Sequence, residues 1–218
     1  MKKLIHGILE FREKLRPAYR DHFAELALGQ KPDVLMFACS DSRVAPNVFA
    51  STDPGDLFVV RNVGAMVPPY GAPGFSAEAA ALEFSLANLP ISNIIVCGHS
   101  NCGAIRAIRD GVSRARQPGA LAQWLELGKP ALENWKEREE DPALDRLSQQ
   151  NVLEQIRVLG GYPLIRERVS QGKLRLHAWW FNIGDAEVHA FDETTGGFRP
   201  IDAEFARTHF GESPSVQG

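Results

Sequence analysis

The chain has 218 residues, of which 44% are hydrophobic and 23% are charged, and it carries a formal net charge of −3 at pH 7. This composition is that of a globular protein with enough residues for one large core. The small negative charge without a basic stripe excludes a nucleic-acid-binding surface, and no apolar run reaches the roughly 18 residues of a membrane span.

Residues 1–30 are predicted to form a helical arm. Leu4, Ile8 and Leu15 share one helix face, and Pro17 separates this stretch from a second amphipathic stretch that continues to Gly29. The apolar face must be covered either by the chain's own domain or by a second subunit, and the residues alone favour neither arrangement.

Two features of the sequence predict a cytoplasmic protein. The first six residues lack the continuous apolar core and the cleavage site of a signal peptide, and charged residues return soon after them. The three cysteines are an odd number without the spacing of a disulfide framework, which favours a reducing compartment.

Strands and helices alternate after the arm. Apolar runs predict strands, the last of them in a hairpin, at 33–38, 57–60, 93–97, 174–181 and 187–191. Apolar periodicity and capping signals predict helices at 76–88, 102–109, 121–135, 142–160 and 163–172. This alternation is typical of a single α/β domain, which we assign to 31–195. A charge run at 136–142 is predicted to be solvated, and residues 196–218 are predicted to form a C-terminal tail.

Three possible metal ligands stand at the ends of two predicted strands. Cys39 directly follows one apolar run, and His99 and Cys102 follow another. Open α/β sheets place their sites at the carboxyl ends of the strands, and two thiolates with one imidazole form a catalytic zinc ligand set with an open fourth position. The alternative is that all three are core or turn residues. Gly98 and Gly103 argue against it, because glycine lets the backbone turn tightly around a site.

Asp41 and Arg43 follow Cys39 by two and four residues. A carboxylate close to Zn²⁺ can accept a proton from metal-bound water or can occupy the open position itself. A paired arginine would lower the pKa of the carboxyl group and fix its orientation. The alternative is a salt bridge in a turn, without chemistry.

The flanking residues predict what the site would act on. An apolar pocket is expected from Phe58, Val63, Met66 and Phe84. Zinc with an open position lowers the pKa of bound water towards about 7. Such water beside an apolar cleft suits a small, neutral, linear molecule such as CO₂.

The two ligand segments together resemble those of the β-class carbonic anhydrases, and of the plant and cyanobacterial branch in particular. The motifs are Cys39-Ser-Asp-Ser-Arg-Val44 and Gly98-His-Ser-Asn-Cys-Gly103, and the similarity covers most of residues 25–195. The resemblance implies an enzyme that reversibly hydrates CO₂ to bicarbonate and a proton by means of zinc-bound hydroxide. It also implies a mainly parallel sheet of four strands plus an edge strand, flanked by helices.

The resemblance assigns roles to the residues of the predicted metal site. Cys39, His99 and Cys102 would bind Zn²⁺, and Asp41 and Arg43 would orient the zinc hydroxide. Dimers and assemblies of dimers are usual in the family, with N-terminal arms embracing a partner. The resemblance therefore favours the second of the two arrangements of residues 1–30.

Further positions match the family's substrate site. Gln30 would donate a hydrogen bond to the substrate from the neighbouring subunit, Phe58 and Val63 match apolar pocket positions, and Gly103 matches a backbone position beside the zinc. Phe84 stands where the plant branch tends to have tyrosine, so a hydroxyl group at the substrate pocket is missing.

Other functions remain to be distinguished. A hydrolase of CS₂ or COS could use the same scaffold, and an inactive subunit that binds zinc or bicarbonate could keep the same ligands. A nucleobase deaminase would need H-x-E followed by P-C-x-x-C, and a thiol redox protein would need C-x-x-C. Neither signature is present.

Overall fold

A six-stranded sheet forms the centre of the fold. The computed structural model describes residues 1–74, 76–111, 119–134 and 143–211. The strands are β1 (Val34–Cys39), β2 (Leu57–Asn62), β3 (Asn93–His99), β4 (Arg175–Asn182), β5 (Glu187–Asp192) and β6 (Gly197–Pro200). Their order across the sheet is β2-β1-β3-β4-β5-β6. The first four are parallel, and β5 and β6 follow as antiparallel strands, with β6 at the edge. The predicted α/β fold is confirmed, with β6 as an additional strand.

Ten helices accompany the sheet in the described part of the chain. They are α1 (Lys2–Glu10), α2 (Arg16–Leu26), α3 (Pro46–Phe49), α4 (Ala77–Asn88), α5 (Gly103–Arg109), α6 (Gly119–Leu125), α7 (Lys129–Glu133), α8 (Ala143–Gly160), α9 (Pro163–Ser170) and α10 (Ala203–Phe210). A π-helical stretch, Phe11–Leu15, joins α1 to α2, and a 3₁₀ turn, Glu126–Gly128, joins α6 to α7. The structured part of the chain therefore extends into the segment predicted as a tail, since β6 and α10 lie there.

Residues of α2 connect the arm to the rest of the chain. Tyr19 Oη donates to Asp53 Oδ1 at 3.1 Å, and His22 Nε2 lies 2.8 Å from the carbonyl oxygen of Pro54. Within α1, the π-helical stretch and α2, all of which the structure describes, no residue is buried. Pro17 lies in the first turn of α2, where its missing N–H costs little. The helix therefore continues past it, and its apolar face remains open.

The main core lies between the sheet and α4, α8 and α9. Fully buried side chains there come from the two central strands and from the helices, namely Leu35, Phe37, Leu82, Ile94, Val96, Val152, Leu159 and Ile165. Cys97 is also fully buried, on the opposite face of the sheet, as its position inside an apolar run predicts. These contacts hold β1 and β3 side by side, so that both strands end at the same edge.

Two predicted elements differ in detail from the structure. The helix expected over 121–135 is divided into α6, the 3₁₀ turn and α7, because Gly128 and Pro130 interrupt the helical pattern. Trp135 and the charge run at 136–142 lie outside the described residues. No helix in the described ranges is long and apolar enough to cross a membrane.

Candidate metal centre

The three predicted ligands lie together at the carboxyl edge of the sheet. Cys39 ends β1, His99 ends the neighbouring β3, and Cys102 stands immediately before α5. Their ligand atoms all lie within 4.8 Å of one another, and the three residues are only 6%, 1% and 2% exposed. Parallel pairing of β1 with β3 brings this about, because the two strands leave the sheet side by side.

His99 presents one ring nitrogen to this cluster. Its Nδ1–H donates to the carbonyl oxygen of Ser100 at 2.9 Å, which leaves the lone pair on Nε2. That atom is buried and has no hydrogen-bond partner among the described residues. Burying an unpaired polar atom costs about 1–3 kcal/mol, and a metal ion at Nε2 would supply the missing partner.

The two sulfur atoms form a pair suited to a cation. The neighbouring Cys102 thiol lowers the pKa of Cys39 to about 4, and the pKa of Cys102 is raised. The backbone N–H of Gly64 donates to Cys39 Sγ at 3.4 Å. The low pKa favours the thiolate form of Cys39, which is the form that binds a metal. One nitrogen and two sulfurs form a ligand set that Zn²⁺ prefers, so the donor chemistry fits this ion.

Asp41 and Arg43 form a tight pair beside the ligands. Arg43 Nε donates to Asp41 Oδ1 at 2.9 Å and Nη2 donates to Oδ2 at 2.8 Å, while the backbone N–H of Arg43 also reaches Oδ1 at 3.0 Å. These bonds hold the pKa of the Asp41 carboxyl well below its usual range, so the group is ionised at neutral pH. Asp41 Oδ2 lies 4.0 Å from His99 Nε2, at the border of the ligand cluster.

Only some of the predicted substrate residues lie near the ligands of the same chain. Val63 precedes the glycine that donates to Cys39, and its side chain is 42% exposed. Gly103 adjoins Cys102, and a Cβ atom there would meet nothing within 4 Å. Met66 is fully buried beneath the sulfur atoms rather than lining an open pocket.

Phe58, Phe84 and Gln30 are placed elsewhere. Phe58 pairs with Leu35, four residues before Cys39, which is about 13 Å away along the strand at 3.3 Å per residue. Phe84 stacks on Phe58 with 6.0 Å between ring centroids and is 48% exposed. Gln30 is exposed just after α2. Phe58 therefore lies away from the cluster of its own chain, and Phe84 lies beside Phe58.

Sequence reasoning missed the side chains that hold the main chain around the ligands. Ser148 Oγ donates to the carbonyl oxygen of His99 at 2.9 Å, and Asn151 Nδ2 donates to that of Gly64 at 3.2 Å. Trp124 Nε1 donates to the carbonyl oxygen of Val63 at 2.7 Å. In α8, Ser148, Asn151 and Gln155 are polar residues at helical spacing, and only the structure shows that they are buried.

Comparison with known proteins gives a consistent result. The family model described as "Carbonic anhydrase" matches residues 34–188. A carbonic anhydrase of Synechocystis sp. is 39% identical over 196 residues, covering 88% of this chain and 71% of that protein. One of Pseudomonas aeruginosa is 37% identical over 201 residues, covering 91% and 90%.

Solved structures show the same similarity. The β-carbonic anhydrase CcaA is 38% identical and superposes with a TM-score of 0.85 over 93% of this chain and 92% of that one. A tetrameric β-carbonic anhydrase from Sordaria macrospora is 30% identical, with a TM-score of 0.70 over 86% and 96%.

Proposed function

The chain belongs to the β class of the carbonic anhydrase family, and we propose that it interconverts CO₂ and bicarbonate with Zn²⁺ bound by Cys39, His99 and Cys102. The observation that carries this proposal is the convergence of three buried ligand atoms within 4.8 Å, one of them the unpartnered Nε2 of His99. When bound, Zn²⁺ supplies a Lewis acid that lowers the pKa of water towards neutrality.

Asp41 and Arg43 orient the water molecule that reacts at the ligand cluster. The ionised carboxylate of Asp41 can only accept hydrogen bonds, so it fixes which way a water molecule beside the ligand cluster directs its proton. Arg43 occupies both carboxylate oxygens in a bidentate pair and keeps the group from rotating. The proton released when water adds to CO₂ then leaves towards solvent, which reaches Asp41 because its side chain is 19% exposed.

The substrate pocket is proposed to be completed by a second copy of the chain. Val63 and Gly103 border the ligands of one subunit, and we assign Gln30, Phe58 and Phe84 to the cluster of the partner subunit. The distance of Phe58 from its own Cys39 and the exposure of Phe84 and Gln30 support this assignment.

A homodimer or a dimer of dimers follows from the same surface. The arm exposes an apolar face whose Leu4 and Ile8 are each 63% exposed, and covering such a face is the driving force for association. The Sordaria macrospora relative is described as tetrameric. We place the enzyme in the cytoplasm, a proposal supported by three free cysteines, Cys39, Cys97 and Cys102.

The decisive test combines metal analysis with stopped-flow assays. We expect about one zinc per chain and CO₂ hydration far above the buffer rate, with Asp41→Asn slowing turnover at least about tenfold through loss of the oriented acceptor. Asp110→Asn is the matched control. Asp110 is also paired with a neighbouring arginine, Arg109, but it lies at the C-terminal end of α5, away from the ligands at the N-terminal end.

Two results would contradict the proposal. Hydration no faster than buffer in the zinc-loaded protein would favour an inactive subunit that binds zinc or bicarbonate. Faster turnover of COS or CS₂ than of CO₂ would favour the hydrolase. The relatives' names favour neither alternative.

A further inference from the structure

One guanidinium group donates hydrogen bonds to the backbone of the segment that carries Cys39 and Asp41. Arg61, near the end of β2, donates from Nε and Nη2 to the carbonyl oxygen of Cys39 at 3.2 and 3.1 Å. Its Nη2 also donates to the carbonyl oxygens of Asp41 at 2.8 Å and Val44 at 2.7 Å. Three carbonyl groups from six consecutive residues thus converge on one side chain.

This convergence matters because the segment has left the sheet. Ser40 still donates its N–H to the carbonyl oxygen of Asn62 at 2.8 Å, and Val44 closes a turn onto Asp41 at 3.0 Å. Backbone carbonyl groups beyond the ladder need other donors. The Asp41 carbonyl already accepts from Val44, and Arg61 adds a second donor to it while also donating to the carbonyl groups of Cys39 and Val44. The direction of the Asp41 side chain is then set by the turn from which it projects.

We propose that Arg61 is a positioning residue, which acts through these three carbonyl groups to hold the Cys39 sulfur and the Asp41 carboxylate in their places. Its effect on turnover rests on the proposed function, but its effect on the metal ligands does not. Asp41 Oδ2 lies only 4.0 Å from His99 Nε2, and a displacement of about 1 Å at such a site can cost about a hundredfold in rate.

This role depends on the length of the arginine side chain and on its several donors, because Nη2 lies within hydrogen-bond distance of all three carbonyl oxygens and Nε contacts one of them as well. Arginine presents several N–H donors at fixed angles, whereas lysine is a single rotatable ammonium group on a flexible stem. Lysine is shorter and has no counterpart of Nη2, the atom that contacts all three oxygens, so it would keep fewer of these contacts. Methionine is shorter still and has no donor. The two substitutions therefore grade the loss of donors, and thermal unfolding reports the effect of the lost volume.

The test compares Arg61→Lys and Arg61→Met with the wild type and with Arg168→Lys. Arg168 is the matched control, because its Nη2 also donates to a backbone carbonyl, that of Leu86 at 2.7 Å, but between α9 and α4. The measurements are kcat and KM for CO₂ hydration, zinc affinity by chelator competition, the visible spectrum of the Co²⁺-substituted protein, and thermal unfolding.

For Arg61→Met we expect kcat to fall about ten- to a hundredfold with KM within about twofold, and zinc affinity to fall about tenfold or more. The Co²⁺ spectrum should change, Arg61→Lys should be intermediate, and Arg168→Lys should match the wild type. If Arg61→Met does not fold, Arg61→Lys decides alone on the same readouts.

Wild-type kcat, zinc affinity and Co²⁺ spectrum in a folded Arg61 variant would overturn the proposal, as would equal losses in Arg168→Lys. Should the wild type lack hydration activity, the proposed function fails, while zinc affinity and the Co²⁺ spectrum still decide the role of Arg61.

Discussion

Two glycines beside the ligands differ in how much space a side chain would have at each position. Gly98 and Gly103 were predicted on the same ground, that both let the backbone turn tightly. In the structure a Cβ at Gly98 would lie 2.6 Å from Val152 Cγ2, whereas a Cβ at Gly103 would meet nothing within 4 Å. Gly98 is therefore required for the close approach of α8 to β3, and Gly103 is not required for packing.

We expect Gly98→Ala to lower the free energy of unfolding by about 1–3 kcal/mol, because the added methyl group must displace Val152. Gly103→Ala should leave it unchanged or raise it by up to about 1 kcal/mol, since Gly103 is the first residue of α5 and alanine favours helix. Urea unfolding of both variants measures this. Equal midpoints for the two would show that the contact at Gly98 relaxes freely.

His177 gives the stability of the protein a pH dependence of known sign. Burial, aided by the positive charge of Arg175, lowers its pKa from the ordinary value of 6.5, and its Nε2 lies 2.9 Å from Asn93 Oδ1. Around pH 6 the unfolded chain therefore binds more protons than the folded one at this residue. The contribution of His177 to the free energy of unfolding therefore rises with pH there and is lost as pH falls below about 6.5.

Replacing His177 by glutamine, which can still donate to Asn93, should flatten this dependence. The measurement is urea unfolding of the wild type and His177→Gln between pH 5 and pH 8. The difference between their free energies of unfolding at each pH gives the contribution of His177, because the other histidines are present in both proteins. A difference that does not vary with pH would contradict the assignment.

At this scale the clustering of Cys39, His99 and Cys102 was predictable, and the side chains that support it were not. Cysteine and histidine at strand ends carry their chemistry in the residue type and its position. The donors of Arg61, Ser148 and Trp124 instead bind backbone carbonyl groups. Any residue has a carbonyl group, so no sequence pattern marks its partner.

At the scale of elements, β1 and β3 followed from uninterrupted apolar runs, because a strand buried on both faces has few polar residues. The edge strand β6 has only four residues, ends in Pro200 and lies at the edge of the sheet. Short edge strands with proline carry little periodicity, which is why residues 196–218 were expected to be a tail. The helix α10 is capped by Asp202, whose Oδ1 accepts from the N–H of Phe205 at 2.8 Å, a capping signal present in the sequence.

The arm offers a test of assembly at the same scale. Leu4→Glu with Ile8→Glu places charge on the exposed apolar face of α1, and we expect the molar mass in solution to fall, because burying two charged groups at an interface is unfavourable. His6→Glu is the matched control, since it adds a negative charge on the opposite face of the same helix. Light scattering after size-exclusion chromatography gives the mass. An unchanged mass for the double variant would mean that this face does not hold the subunits together.

At the scale of the whole molecule, one chain contains all the metal ligands but only part of the proposed substrate pocket. Cys39, His99 and Cys102 converge within a single subunit. Phe58, in contrast, pairs with Leu35, which precedes Cys39 by four residues along β1. The sequence could indicate which residues belong to the site. It could not indicate which subunit supplies them, because that depends on the symmetry of an interface rather than on any local pattern.

Mixed oligomers test this division directly. Cys102→Ser should abolish zinc binding and activity in its own subunit, and Gln30→Ala should lower kcat/KM about tenfold through loss of one hydrogen bond to the substrate. When both variants are co-expressed, the zinc site of the Gln30→Ala chain would receive an intact Gln30 from its Cys102→Ser partner. With random pairing, about a quarter of all sites should then regain wild-type kcat/KM, since half of the dimers are mixed and each has one complete site.

The controls follow from the same geometry. Co-expression of Cys102→Ser with Cys39→Ala should restore nothing, because every subunit then lacks a metal ligand. If Gln30 served the cluster of its own chain, mixing Cys102→Ser with Gln30→Ala would give only the mean of the two separate activities. Recovery above that mean requires that the glutamine cross the interface, since no subunit in the mixture carries both a complete ligand set and its own Gln30.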